Sequence, residues 1–204
     1  MLFSACMGID DKDHKIEKKE VSMTAGEANL YSIIFLVPLI IIVAVPYYYL
    51  WPEQFSKASI SDYVRARETL TFIDIIIGAF VILAGVVGHE LLHGLGWSFY
   101  TKKGWKSISF GIVWKYLTPY CHCEESLNLR SYRIGSILPA IVLGFIPSIL
   151  AIILGNLWLL IFGFFFTFAA GGDFLILWLL RHEQSTDMVQ DHPDKIGCII
   201  IEDK

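Results

Sequence analysis

Charge is missing from long stretches of this chain. Residues 30–51 and 134–155 contain none, and residues 157–180 contain a single charged residue, Asp173. Gaps that long exclude an ordinary water-soluble globule, whose exposed faces need polar groups at regular intervals. Other shortages narrow the class further. The opening "MLFSACM" has no basic start and no apolar stretch of signal length, which argues against lipoprotein-type processing at Cys6. Only four cysteines occur, all on the side assigned below to the cytosol, so no structural disulfide is expected. Internal repeats are absent. The basic residues form no patch with aromatic stacking partners, which excludes nucleic acid as a partner.

What is present is apolar: 55% of the 204 residues are hydrophobic, gathered into residues 30–51, 72–100, 134–155 and 157–180. Crossing a bilayer core takes roughly 20 apolar residues, so each run qualifies as a span. The expected fold is an all-α integral membrane protein with about four transmembrane helices, and the lipid bilayer is its first partner. The first run lies too far from the start, and is too long, for a cleaved signal. Pro38 and Pro46 in that run, and Pro139 and Pro147 in the third, are expected to kink their helices without breaking them.

The position of charge orients the spans. With a cytoplasmic amino terminus, only Lys57, Arg65 and Arg67 of the 16 basic residues fall outside. The positive-inside bias thus puts both termini in the cytosol of a multi-pass protein of the cell (inner) membrane. The chain then divides into a polar cytoplasmic tail (1–29), a membrane domain (30–181) and a second polar tail (182–204). In the outer loop Ser61 is a candidate cap for a short interfacial helix. The few residues around Asn156 force spans three and four into a tight antiparallel hairpin.

Inside the second run, "VVGHELLHGLGW" threads two histidines and a glutamate through apolar surroundings. His89-Glu90-Leu91-Leu92-His93 has the spacing H-E-x-x-H. On a helix, residues four apart share a face, so both imidazoles can reach one metal ion, with Zn2+ the usual occupant. Glu90, beside the first ligand, is placed to act as general base on a water at the metal's open position. Histidines that only pack a membrane helix would need no such spacing, and ionisable residues in spans are rare and usually functional. Gly88, Gly94 and Gly96 are read as leaving room around the site.

A zinc site of this kind needs a third protein ligand. Counted from the outer ends of their runs, His89 and Asp173 lie at matching depth, ~25 Å down a ~30 Å core. Asp173, the lone charge of its span, is therefore the best third ligand, and the small residues of "FAAGGDFLI" permit close helix approach. The competing role for Asp173 is a pair with Arg181 or Lys115. "TPYCHCEE" looks metal-binding by composition, but neighbouring residues of an extended chain point to opposite faces and cannot alone close a tetrahedral site. His122 reads as a loop histidine that can also reach the zinc or an oxyanion, with Tyr116 and Tyr120 as further oxyanion or substrate contacts. The preceding "SISFGIVWKYLT" is rich in β-branched and aromatic residues. It reads as a short β hairpin or strand in the cytoplasmic loop between spans two and three, able to hold an extended peptide edge-on.

"GHELLHGLGW", "TPYCHCEE", "LPAIVLGFIPSI" and "GGDFLI", in that order, resemble a family of small bacterial membrane zincin peptidases over about residues 72–180. The chain is more distantly similar to the site-2 intramembrane metalloproteases, although Gly171 and Gly172 precede Asp173 where that type carries Asp-Gly. The resemblance implies zinc held by His89, His93 and Asp173, with Glu90 as general base. It further implies a peptide or membrane-protein substrate. Two other classes compete: a non-catalytic zinc-binding membrane protein or scaffold, and an ion transporter using His89, Glu90, His93 and Asp173 as its path.

Overall fold

The structure, a computed structural model, describes residues 6–8, 16–68, 71–114, 118–192 and 196–203. Strands β1 (Cys6–Gly8) and β2 (Ile16–Met23) come first. Helix α1 (Ala25–Leu39) opens on a capping box, in which Thr24 Oγ accepts the Glu27 N–H and the Glu27 carboxylate accepts the Thr24 N–H. A π-helical segment, Ile40–Ala44, leads into α2 (Val45–Leu50). After a 3-10 turn, α3 (Lys57–Glu68) begins four residues before Ser61. The hydroxyl that serves its start is that of Ser56, which accepts the Ser59 N–H.

Helix α4 (Phe72–Ser98) begins with a second capping box, formed by Thr71 and Asp74. A hairpin follows, β3 (Ile108–Val113) and β4 (Thr118–Cys123), then β5 (Leu127–Asn128). Helix α5 (Leu129–Pro139) passes through the π-helical segment Ala140–Phe145 into α6 (Ile146–Leu154). Helices α7 (Leu157–Ala169) and α8 (Gly171–Leu179) precede β6 (Met188–Asp191) and β7 (Ile196–Asp203).

Among the described residues three helices are long and apolar enough to cross a membrane: Phe72–Ser98, Leu129–Leu154 and Leu157–His182; Leu36–Leu50 is a shorter apolar helix. The prolines do not break their helices, and each π-helical segment lies between a pair of them, Pro38 and Pro46 or Pro139 and Pro147. A proline lacks its N–H and crowds the carbonyl one turn back, and a wider turn relieves both problems. The hairpin between α6 and α7 is as tight as its sequence required. Gly155 takes the left-handed conformation (φ 67°), and Asn156 Oδ1 caps α7 by accepting the Leu159 N–H at 3.0 Å. Gly144 and Gly163 let these helices touch, since an added Cβ would fall 2.3 Å from Thr167 Oγ1 and 2.5 Å from Ser148 Oγ respectively.

The protein is mostly helical, yet an all-α reading with one hairpin understates its strands. "TPYCHC", read as a loop, is β4. The segments read as polar tails supply strands to a five-stranded antiparallel sheet, order β1-β2-β7-β6-β5, with β2 and β7 paired from Ile16↔Asp203 to Met23↔Ile196. Its inner face buries Val189, Cys198 and Ile200 against Trp97, Leu129, Tyr132 and Leu180. Burial pushes the Cys123 thiol up to about 11 and the Cys198 thiol to about 12, so neither is a nucleophile near neutral pH.

The turn leading into the hairpin is clamped by one carboxylate. Glu125 accepts the Ser107 hydroxyl and the N–H groups of Lys102 and Lys103, which together hold its pKa below the usual range. A depressed carboxylate pKa adds stability above the unfolded-state value, and that stability is lost as pH falls through the folded-state value. Thermal melts at decreasing pH should therefore fall less steeply for Glu125→Gln than for the wild type. Parallel curves would show that the clamp contributes nothing.

Candidate metal centre

Helix α4 turns His89 and His93 to one face, and both are buried. Asp173 arrives from the first turn of α8, directly after the break between α7 and α8 at Ala170. Nε2 of His89 lies 3.2 Å from Asp173 Oδ2 and 3.2 Å from His93 Nε2, and His93 Nε2 lies 3.3 Å from Asp173 Oδ1. Among the described residues these three form the one group able to hold a metal ion. Donors at zinc distances of 2.0–2.1 Å in a tetrahedron stand about 3.3 Å from one another, so the spacing fits, as does the donor set.

The orientation of His93 is set from behind. Its Nδ1–H donates to the Gly135 carbonyl at 3.0 Å, which leaves Nε2 free to ligate. Its ring stacks on Trp97 at 5.3 Å between centroids and 16° between planes; Trp97 in turn stacks on Tyr132 at 5.4 Å and 16°. The Trp97 indole N–H donates to the Tyr132 carbonyl. His89 Nδ1 is buried without a hydrogen-bond partner among the described residues. The glycines divide by role. A Cβ on Gly172 would meet nothing within 4 Å, and one on Gly88 only Leu143 at 3.9 Å, so space remains beside His89 and Asp173. Gly94 and Gly96, read as leaving room, are instead filled: Gly94 by Ile108, Phe110 and Trp105, Gly96 by the Gly135 backbone.

Gly135 carries a prediction. An added methyl would lie 2.1 Å from Trp97 Cδ1, so Gly135→Ala must displace the indole that backs His93. We expect a loss of about 1–3 kcal/mol in stability from overpacking, together with weaker zinc binding. Chemical denaturation and a chelator competition measure the two effects; unchanged values in both would mean that Trp97 is free to move.

Glu90 is half-buried, and its carboxylate faces the backbone N–H of Cys121 on β4. Pairing explains why that N–H is available. Glu124 N–H donates to Ser107 O across the hairpin, so by alternation the N–H groups of residues 121 and 123 point to the outer edge of β4. Cys123 N–H is taken by Asp191 Oδ2 at 2.9 Å, and Pro119 has no N–H. The outer edge of β4 is thus closed to a further strand.

The structure brings His89, His93 and Asp173 together, with Glu90 adjoining. His122 lies in β4 with Nδ1 3.6 Å from Asp191 Oδ2. Tyr120 covers its cross-strand partner Gly111, where an added Cβ would fall 2.4 Å from the tyrosine oxygen. Tyr116 lies outside the described residues. Sequence reasoning missed Trp97, although it continues the four-residue step from His89 and His93 along one helix face. It also missed Asp191, for which a short polar strand offered no signal.

A membrane-capable helical protein in which two buried histidines and a partly buried aspartate could hold a metal ion is the class that fold and site define. A protein-family model described as "Putative zincin peptidase" matches residues 82–187, just over half of the chain, and the chain belongs to that family. The match runs from within α4 to the end of the loop before β6. No curated protein and no solved structure matches the chain.

Proposed function

We propose that this protein is a multi-pass membrane zinc metallopeptidase that hydrolyses peptide bonds with Glu90 as general base. The observation that carries the reading is the convergence of His89, His93 and Asp173 at tetrahedral spacing, with Glu90 next to the first ligand. Zinc, when bound, polarises the scissile carbonyl and acidifies water. Glu90 accepts the proton of the attacking water and passes it to the leaving amine. The open space at Gly88 and Gly172 admits water and substrate beside the ligands. An extended peptide pairs with the outer edge of β3, since that of β4 is occupied. His122, held at Asp191, is the first candidate for an oxyanion contact, with Tyr120 and Tyr116 as the others.

The topology of the proposal is four spans, with residues 30–51 as the first and both ends in the cytosol. The pairing of β2 with β7 supports it, because two paired strands lie on one side of a membrane and the chain between them crosses an even number of times. Three long spans leave one more to find, and the helical path through Leu36–Leu50 supplies it. Residues 1–29 and 182–204 then flank the membrane domain, 30–181.

The test is purification in detergent, metal analysis and incubation with a library of unstructured peptides. We expect about one zinc per chain, as for a three-ligand zincin site, and peptide cleavage that stops when a chelator is added. Zinc without cleavage would leave a non-catalytic binder, and a folded protein that takes up no zinc would end the reading. Metal flux in liposomes would instead favour the ion path.

A further inference from the structure

We propose that Asp191 is a positioning residue for the metal centre, acting from β6 on both the ligand His93 and the base Glu90. The inference rests on the metallopeptidase reading for the identity of metal and base. It adds a residue that lies beyond the matched family segment.

The carboxylate of Asp191 has 11% side-chain exposure, and both of its oxygens are engaged by other elements of the fold. Oδ1 accepts the Tyr132 hydroxyl of α5 at 2.8 Å, and Oδ2 accepts the Cys123 N–H of β4 at 2.9 Å, with His122 Nδ1 3.6 Å from the same oxygen. Elements α5, β4 and β6 thus meet at one largely buried side chain.

Two routes lead from it to the site. Along α5, the Tyr132 ring is the outer member of the near-parallel column Tyr132–Trp97–His93, which ends on a donor ring of the metal group. Rings stacked at this spacing move together, so the hydroxyl that anchors Tyr132 limits the tilt of His93. Along β4, the bond to Cys123 fixes the strand at one residue, and two residues earlier the Cys121 N–H faces the Glu90 carboxylate. The β period of two makes those N–H groups point the same way, so a slip at Cys123 also removes the donor opposite Glu90.

A carboxylate suits this place because both oxygens accept. Asparagine retains two polar atoms: its carbonyl can accept Cys123 N–H, and its amide can donate to the Tyr132 oxygen. Alanine retains neither. Cobalt(II), a visible substitute for zinc, is the probe, read by its dissociation constant and its visible spectrum, which follows donor geometry. Asp191→Ala and Tyr132→Phe should weaken cobalt binding about 10–100-fold and alter the spectrum, while Asp191→Asn restores most of both. Lys19→Met, which removes the 2.8 Å pair with Glu183, is the control: its melting temperature falls with no change in cobalt affinity.

Wild-type affinity and spectrum in folded Asp191→Ala and Tyr132→Phe would overturn the proposal. If Asp191→Ala does not fold, Tyr132→Phe, which removes one oxygen, decides alone. Failure of the wild type to bind cobalt would instead overturn the metallopeptidase reading.

Discussion

Glu90→Gln should leave the zinc in place and slow peptide hydrolysis ~10²–10⁴-fold, the usual contribution of a positioned general base. Glutamine matches glutamate in length, and its carbonyl can still face the Cys121 N–H. It has no basic oxygen to take a proton from water. Because Glu90 is not among the three converging donors, the variant tests catalysis apart from metal binding. Zinc content by elemental analysis and peptide cleavage by mass spectrometry give the two readings on one preparation. Cleavage at the wild-type rate would remove Glu90 from the mechanism, and loss of zinc would show that it binds metal.

Asp173→Ala should lose its zinc, with affinity falling by more than the about 10–100-fold that changes outside the ligand set cost. The carboxylate bridges both imidazoles at 3.2 and 3.3 Å. His93→Ala should behave alike. His122→Ala should retain zinc, because its ring sits at Asp191 and outside the converging donors. The reverse pattern, with zinc kept in Asp173→Ala and lost in His122→Ala, would replace the third ligand.

The His89-His93-Asp173 group that could hold a metal was legible in the sequence because each part obeys a short-range or one-dimensional rule. His89, Glu90 and His93 follow from helical period, and Asp173 follows from counting depth along two spans read as running the same way, each from its outer end. Asn156 marks a hairpin by brevity alone. The strands follow no such rule. "KKEVSM" in β2 and "GCIII" in β7 bury little by themselves, and each acquires a buried face only when the other is present. Their partners are separated by the whole helical segment, so no window of sequence contains both. "TPYCHC" misled for a related reason: its cysteines and proline suggest a loop or ligand cluster, while the pairing of Ser109 with His122 makes it a strand. Asp191 becomes visible only once β4, β6 and α5 have met.

The marriage of β2 to β7 also sets an order in time. During synthesis β2 leaves the ribosome before every helix among the described residues and β7 after all of them, so the earlier strand waits without its neighbour while the helices are made. Contacts of such wide sequence separation close slowly. An unpaired strand edge invites association with other chains in the interval. Asp191 travels with the late segment. On the role proposed for Asp191, the support behind His93 and Glu90 is completed after the helix that carries them has been laid down, making assembly of the centre a closing event of biogenesis.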